Sequence, residues 1–262
     1  MKKNFFLSLI LICYSNYSLA CEALEQSIIS NDFEISLIEY IAPKSKKLVL
    51  IIPPTGGINF IDKSYALGLC KANINAVIIR NWTDDNEYNI ELEIHTRFYN
   101  RAQRAIEMTI KRYSQFDLAI LGTSVGGIHA SIAFARFKKL KTGLFIVSGG
   151  NIASIITNTE QDILLDAKNK RFKLFNYKSD IEYTNALKKI LPYEPLQIHF
   201  DKSKKKIGMV VSTNDSIVPT KNQIELKEKW NSVILSSSWL GHTATVIKTW
   251  LFNSSTIIDF FR

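Results

Sequence analysis

The feature that most restricts this chain is a junction. The apolar run Phe116-Asp117-Leu118-Ala119-Ile120-Leu121 passes without a spacer into Gly122-Thr123-Ser124-Val125-Gly126-Gly127, so a buried strand must turn abruptly. A serine at the tip of such a turn is held in a strained backbone conformation, and side chains two residues before or after it would collide with the crowded turn. Glycine at 122 and 126 removes both collisions. The Gly-x-Ser-x-Gly spacing belongs to a sharp strand-to-helix turn that exposes a hydroxyl. Taken alone it fits an ordinary Gly/Ser turn equally well.

The flanking pattern repeats along the chain. Residues 33–41 read as a strand with apolar alternation at Phe33, Ile35 and Leu37, and Leu48-Val49-Leu50-Ile51-Ile52 is a continuous apolar run stopped by Pro53-Pro54. Such a run fits a strand buried on both faces. Further strands are expected at 76–79, 118–121, 144–147, 207–211 and 232–235, with helices at 62–72, 90–113, 125–137 and 222–230. In 90–113 the positions Ile94, Phe98, Ala102, Ala105, Ile106 and Ile110 have helical spacing, with Arg97, Arg101 and Arg104 opposite. Strands alternating with helices imply right-handed crossovers, hence an α/β chain with a mostly parallel central sheet flanked by helices.

Between 148 and 206 the pattern changes to two amphipathic helices, 163–174 and 181–191, with no buried strand between them. An insert at this point would sit over the carboxyl ends of the strands, where ligands bind, and is a candidate helical lid; the alternative is a decorated crossover. Its Phe172, Phe175, Tyr177, Tyr183 and Tyr193 either line a pocket or form the insert's own small core.

Residues 1–20 read as an export signal. Lys2 and Lys3 precede an apolar stretch too short for a stable membrane span, and Ser18-Leu19-Ala20 offers small residues for cleavage after Ala20. Residues 21–262 then form one domain, since 46% hydrophobic and 22% charged residues can build a sizeable core. Leu19-Ala20-Cys21 also resembles a lipobox, the alternative being a lipoprotein anchored through Cys21. Cys21 and Cys70 could instead pair as a disulfide in an oxidising compartment; the bond and the acyl group are mutually exclusive. A third reading makes Cys70 a small buried core residue.

The formal charge of +9 falls near +7 without Lys2 and Lys3. The lysines cluster at 44/46/47, 138/139/141 and 202/204/205/206. These read as solvated loops, with no nucleic-acid module, and leave room for association with an anionic membrane surface.

Two further landmarks decide what the serine turn is. Asp215-Ser216-Ile217-Val218-Pro219 follows the expected strand 207–211, and Gly241-His242-Thr243 follows 232–235. The order Ser, Asp, His, each after a strand, resembles the α/β-hydrolase superfamily over nearly all of the chain from about Phe33 onward. The resemblance implies Ser124 as nucleophile, His242 as general base and Asp215 as its orienting acid. It also implies an oxyanion hole from the amide of Val125 and that of Thr55, with Gly56 the near alternative. Here the chain departs from the family: Pro53-Pro54 replaces the histidine and glycine of the usual loop, and proline donates no hydrogen bond.

His95, His129 and His199 do not follow late strands, so packing or surface roles are expected for them. Asp117 enters a strand rather than leaving it, and Asp84 and Asp85 sit in an earlier loop. No spacing points to a metal or cofactor. The expectation is an exported serine hydrolase cleaving a small-molecule or lipid carboxylic ester, narrower versions being a lysophospholipid or a thioester. The alternatives are a serine peptidase of prolyl-oligopeptidase type and an inactive hydrolase-like binding protein. Nothing in the sequence sets the oligomeric state.

Overall fold

The computed structural model describes residues 21–30, 33–82 and 90–262. The expected signal 1–20 and the acids Asp84 and Asp85 lie outside the described residues. In chain order the elements are β1 (Ala23–Ser30), β2 (Phe33–Tyr40), β3 (Lys47–Ile52), α1 (Phe60–Lys71), β4 (Asn75–Ile79), α2 (Glu93–Arg112), β5 (Asp117–Thr123) and α3 (Val125–Arg136). They continue with β6 (Leu140–Ile146), α4 (Ile152–Asn158), α5 (Asp162–Phe175), α6 (Asp180–Ile190), β7 (Lys206–Ser212), α7 (Thr220–Trp230), β8 (Val233–Ser238) and α8 (His242–Phe260).

The strands form an eight-stranded sheet in the order β1-β2-β4-β3-β5-β6-β7-β8. β1 and β2 run antiparallel at one edge, and from β4 to β8 every pair is parallel. The runs 48–52, 76–79 and 118–121 are buried throughout because helices cover both faces of the sheet. Ala102, Ala105 and Ile106 of α2, Ala130 and Phe134 of α3 and Trp230 of α7 pack on one face. Tyr65, Leu69 and Cys70 of α1 and Ile257 and Phe260 of α8 pack on the other. A disulfide joins Cys21, just ahead of β1, to Cys70 on α1.

Three elements depart from the sequence expectation. β1 is exposed along almost its whole length, so it carries no apolar alternation to reveal it. α4 covers only seven residues, too few for a helical period to stand out. α8 has few charges along its length, which hides the usual amphipathic contrast.

The lysines at 202, 205 and 206 are not simply solvated. Lys202 donates to the carbonyl of Lys229 at 3.0 Å, Lys205 to those of Phe134 and Phe137, and Lys206 to that of Phe260 at 2.6 Å. Each ammonium therefore caps the carboxyl end of a different helix, α7, α3 or α8, where a cation offsets the helix dipole. Burial, with Lys141 nearby, pulls the Lys205 ammonium down to about 8.

Within 148–206, Phe172, Tyr177 and Tyr183 stack on one another with centroid separations of 5.5–5.9 Å. They belong to a core that the insert shares with Tyr99 of α2 and Ile128 and Ile132 of α3.

Candidate active site

Ser124 joins β5 to α3 at φ 57 and ψ −128, a conformation a non-glycine residue rarely adopts. Strain of this kind costs about 1–3 kcal/mol and persists only where the surroundings enforce it. Here the Ser124 amide donates to Ile146 at 2.9 Å, and the amide of Ile128 donates to the Ser124 carbonyl at 3.1 Å. The glycines permit the close approach. A Cβ on Gly122 would lie 2.6 Å from that of Ala130, and one on Gly126 would strike the carbonyl oxygens of Ile52 and Pro53. Gly127 packs equally tightly, its hypothetical Cβ 2.7 Å from Ser148 Cβ. The carboxyl end of β3 therefore rests directly against the serine turn.

His242 is the first residue of α8, entered through Gly241 at φ 80. Its Nε2 lies 2.8 Å from Ser124 Oγ and its Nδ1 2.7 Å from Asp215 Oδ2. The Asp215 carboxylate is fully buried. Its Oδ1 accepts the amides of Ile217 and Val218, both at 2.9 Å, and its Oδ2 accepts Gln223 Nε2 at 2.8 Å. Surrounded by donors, the carboxylate accepts the Nδ1–H as well, which leaves Nε2 free to accept from the serine hydroxyl. The parallel order β5-β6-β7-β8 brings the three residues to one edge of the sheet from the ends of β5, β7 and β8.

Gln223 was not anticipated. Its Oε1 accepts the Ser212 amide at 3.0 Å, and its Nε2 also donates to Val218 at 2.7 Å, so it ties the end of β7 to the carboxylate. A single glutamine in a predicted helix has no spacing that could disclose this.

Thr55, Gly56 and Val125 line a common cavity of about 300 Å³. Its walls are mainly apolar: Ile94 and Phe98 come from α2, Ile128 from α3, and Ile155, Ile156 and Ile163 from the insert, with His95 and Gln161 among them. The insert aromatics Phe172, Phe175, Tyr177, Tyr183 and Tyr193 do not line it. A larger cleft of about 640 Å³ lies at the opposite edge of the sheet, beside Lys206 and Val233, far from Ser124.

The other histidines have separate settings. His95 lines the cavity, and Arg171 donates to its Nε2 at 2.9 Å. Burial, aided by the Arg171 charge, lowers its pKa to about 3. An arginine can only donate, so the ring proton sits on Nδ1. His129 is wholly buried, its ring 4.5–5.1 Å from those of Trp82, Phe98 and Tyr99, and burial lowers its pKa to about 3. Among the described residues neither of its ring nitrogens has a hydrogen-bond partner. His199 is exposed, and Asp117 starts β5 at the end away from Ser124. Among the described residues no three His, Cys, Asp or Glu side chains are grouped to hold a metal.

Neither a protein-family model nor a curated protein sequence matches the chain. Solved structures do. Est1E from Butyrivibrio proteoclasticus superposes with a TM-score of 0.63 at 13% identity, over 90% of this chain and 96% of that one. The chain has the α/β-hydrolase fold. The same α/β-hydrolase likeness extends to the thioesterase domain from the curacin biosynthetic pathway, with a TM-score of 0.58 at 15% identity over 92% and 99%. It extends also to the acylaminoacyl peptidase of Pyrococcus horikoshii, with 0.61 at 12% over 95% of this chain but 43% of the peptidase. In the α/β-hydrolase fold of this chain, the loop after β3 and the turns after β5, β7 and β8 all meet at the carboxyl edge.

Proposed function

We propose that this chain is a serine hydrolase that cleaves carboxylic esters with an apolar acyl group through an acyl-enzyme intermediate. The observation that carries the reading is the hydrogen-bonded series Ser124, His242, Asp215, with Nε2 2.8 Å from Oγ and Nδ1 2.7 Å from the carboxylate. In the first step Ser124 Oγ bonds to the ester carbon while His242 Nε2 takes its proton. The carbonyl oxygen gains negative charge facing the amide of Val125, at the amino end of α3, and that of Thr55 or Gly56. Collapse breaks the bond to the alcohol, which leaves with the proton from His242. Water, deprotonated by the same nitrogen, then releases the acid and restores Ser124.

Ester specificity is supported by the cavity walls, which include no carboxylate to receive a peptide amino terminus. Its volume of about 300 Å³ matches roughly ten water molecules, enough for a short or medium acyl chain. Export is part of the proposal. The Cys21–Cys70 disulfide supports an oxidising compartment, and it occupies the sulfur that a lipid anchor would need.

The test treats the purified protein and Ser124→Ala with ester, thioester and peptide panels. Ester turnover that vanishes in Ser124→Ala is the expected result. Turnover of peptide amides without esters would assign a peptidase, and equal activity in both proteins would overturn the role of Ser124. Mass spectrometry of the native amino terminus tests export: it should find Cys21 first and disulfide-bonded.

A further inference from the structure

α1 and α8 lie side by side on one face of the sheet, joined where Phe60 meets Trp250 edge-on at 4.9 Å and Trp250 Nε1 donates to Ser64 Oγ at 2.9 Å. A surface helix ordinarily turns polar residues outward. α8 does the reverse: Ile247, Leu251 and Phe252 are 40%, 55% and 74% exposed. Phe60 on α1 is 59% exposed, and Trp239, three residues before His242, is 74% exposed. Large apolar side chains exposed together on one pair of helices mark an interaction site.

The charges on this face are mostly positive. Residues 56–71 and 239–258, which form this face, contain Lys63, Lys71 and Lys248, and their single carboxylate, Asp62, is buried. The next acid, Asp259, pairs with Arg262 at 2.8 Å. A second copy of the chain would set the same lysines against themselves across a two-fold axis. An anionic bilayer would meet them with opposite charge, and its interface favours exposed Trp and Phe beside lysine.

We infer that the outer face of α1 and α8 docks on the surface of an anionic lipid bilayer. Both helices begin at the carboxyl edge of the sheet, α1 after the Thr55–Gly56 turn and α8 at His242, so the rim of this face is also the rim of the candidate active site. If the ester-hydrolase reading holds, docking carries Ser124 to esters held in the bilayer; the docking itself does not depend on that chemistry.

The experiment is cosedimentation of the purified protein with vesicles of phosphatidylglycerol or of phosphatidylcholine, using Ser124→Ala alongside the wild type. Both proteins should bind phosphatidylglycerol and release it in high salt, and the emission of exposed Trp239 should shift to the blue. Leu251→Ser/Phe252→Ser should weaken binding about tenfold or more by removing apolar burial, and Lys63→Glu/Lys71→Glu about tenfold by reversing charge. Three results would overturn the inference: no binding, equal binding to phosphatidylcholine, or variants that bind as the wild type does. Light scattering that shows a dimer made monomeric by Leu251→Ser/Phe252→Ser would assign the face to a second copy instead. Vesicle binding by Ser124→Ala separates the outcomes, since docking then survives whatever becomes of the hydrolase reading.

Discussion

At the carboxyl edge of the sheet His242 has a partner on each ring nitrogen, whereas His129 on α3 stands among Trp82, Phe98 and Tyr99 with none among the described residues. The two rings obey the same chemistry in different surroundings. An acceptor on one side and a hydroxyl on the other make His242 fit to carry a proton. Among Trp82, Phe98 and Tyr99 the ring is cut off from water and no acceptor reaches either nitrogen, so desolvation keeps His129 neutral and it serves as packing. A buried histidine is therefore understood from what reaches its nitrogens rather than from its depth.

The largest effect expected from this contrast is on turnover. Asp215→Asn should lower kcat about ten-thousand-fold, or about 5.5 kcal/mol, by replacing the carboxylate oxygen that fixes the His242 tautomer with an amide. His129→Phe should leave ester turnover within a few-fold of wild type. Comparable losses in the two variants, measured on one ester, would break the distinction.

Next comes the turn that presents the serine to His242. In Gly126→Ala the new methyl meets the carbonyl oxygens of Ile52 and Pro53, which are backbone and cannot swing aside. The variant should lose about 3 kcal/mol in chemical denaturation. An unchanged midpoint would show that the loop after β3 yields more easily than its packing implies.

The histidine cage has its own pH signature. The folded-state pKa of His129 is depressed from 6.5 to about 3, so the native state binds the proton less readily than the unfolded chain. Its stabilising contribution is complete above 6.5 and declines as pH falls from there toward 3. Between about pH 7.5 and pH 5 the wild type should lose roughly 2 kcal/mol more than His129→Phe. His95 is depressed as well but is common to both proteins, so it cancels in the comparison. Parallel pH profiles for the two proteins would contradict the neutral cage.

How far this contrast could be read in advance follows from spacing. Ser124, Asp215 and His242 each follow a short apolar run, and the alternation of those runs with helical stretches disclosed the sheet as well. β1 escaped because an exposed edge strand needs no buried alternation, and α8 because its outward face is apolar too. Gln223 reaches back from α7 to the turn after β7, a bond that no periodicity marks, and the His95–Arg171 contact joins α2 to α5, where no local pattern records which helix faces meet. The lysines at 202–206 were visible, but their partners are helix ends that only the fold brings near.

The smallest effect concerns a third buried ionisable group. Burial pushes the Asp62 carboxyl up from 3.8 to about 6, against the amide of Asn59, which holds it down. The folded state thus keeps a proton that the unfolded chain releases, and stability falls as pH rises from 3.8 to about 6 and stays reduced above it. Asp62→Asn, which can still accept the Asn59 amide, should gain about 1 kcal/mol near pH 8 and nothing near pH 4. Equal thermal shifts at both pH values would remove desolvation as the cause.

The claim that organises all of this is that Ser124, held at φ 57 beside His242, is a nucleophile. The most direct measurement is peptide mapping by mass spectrometry after treatment with a fluorophosphonate. The account predicts a single adduct on Ser124, absent from Ser124→Ala and strongly slowed in His242→Ala. An adduct on another serine, or none on the folded protein, would contradict it.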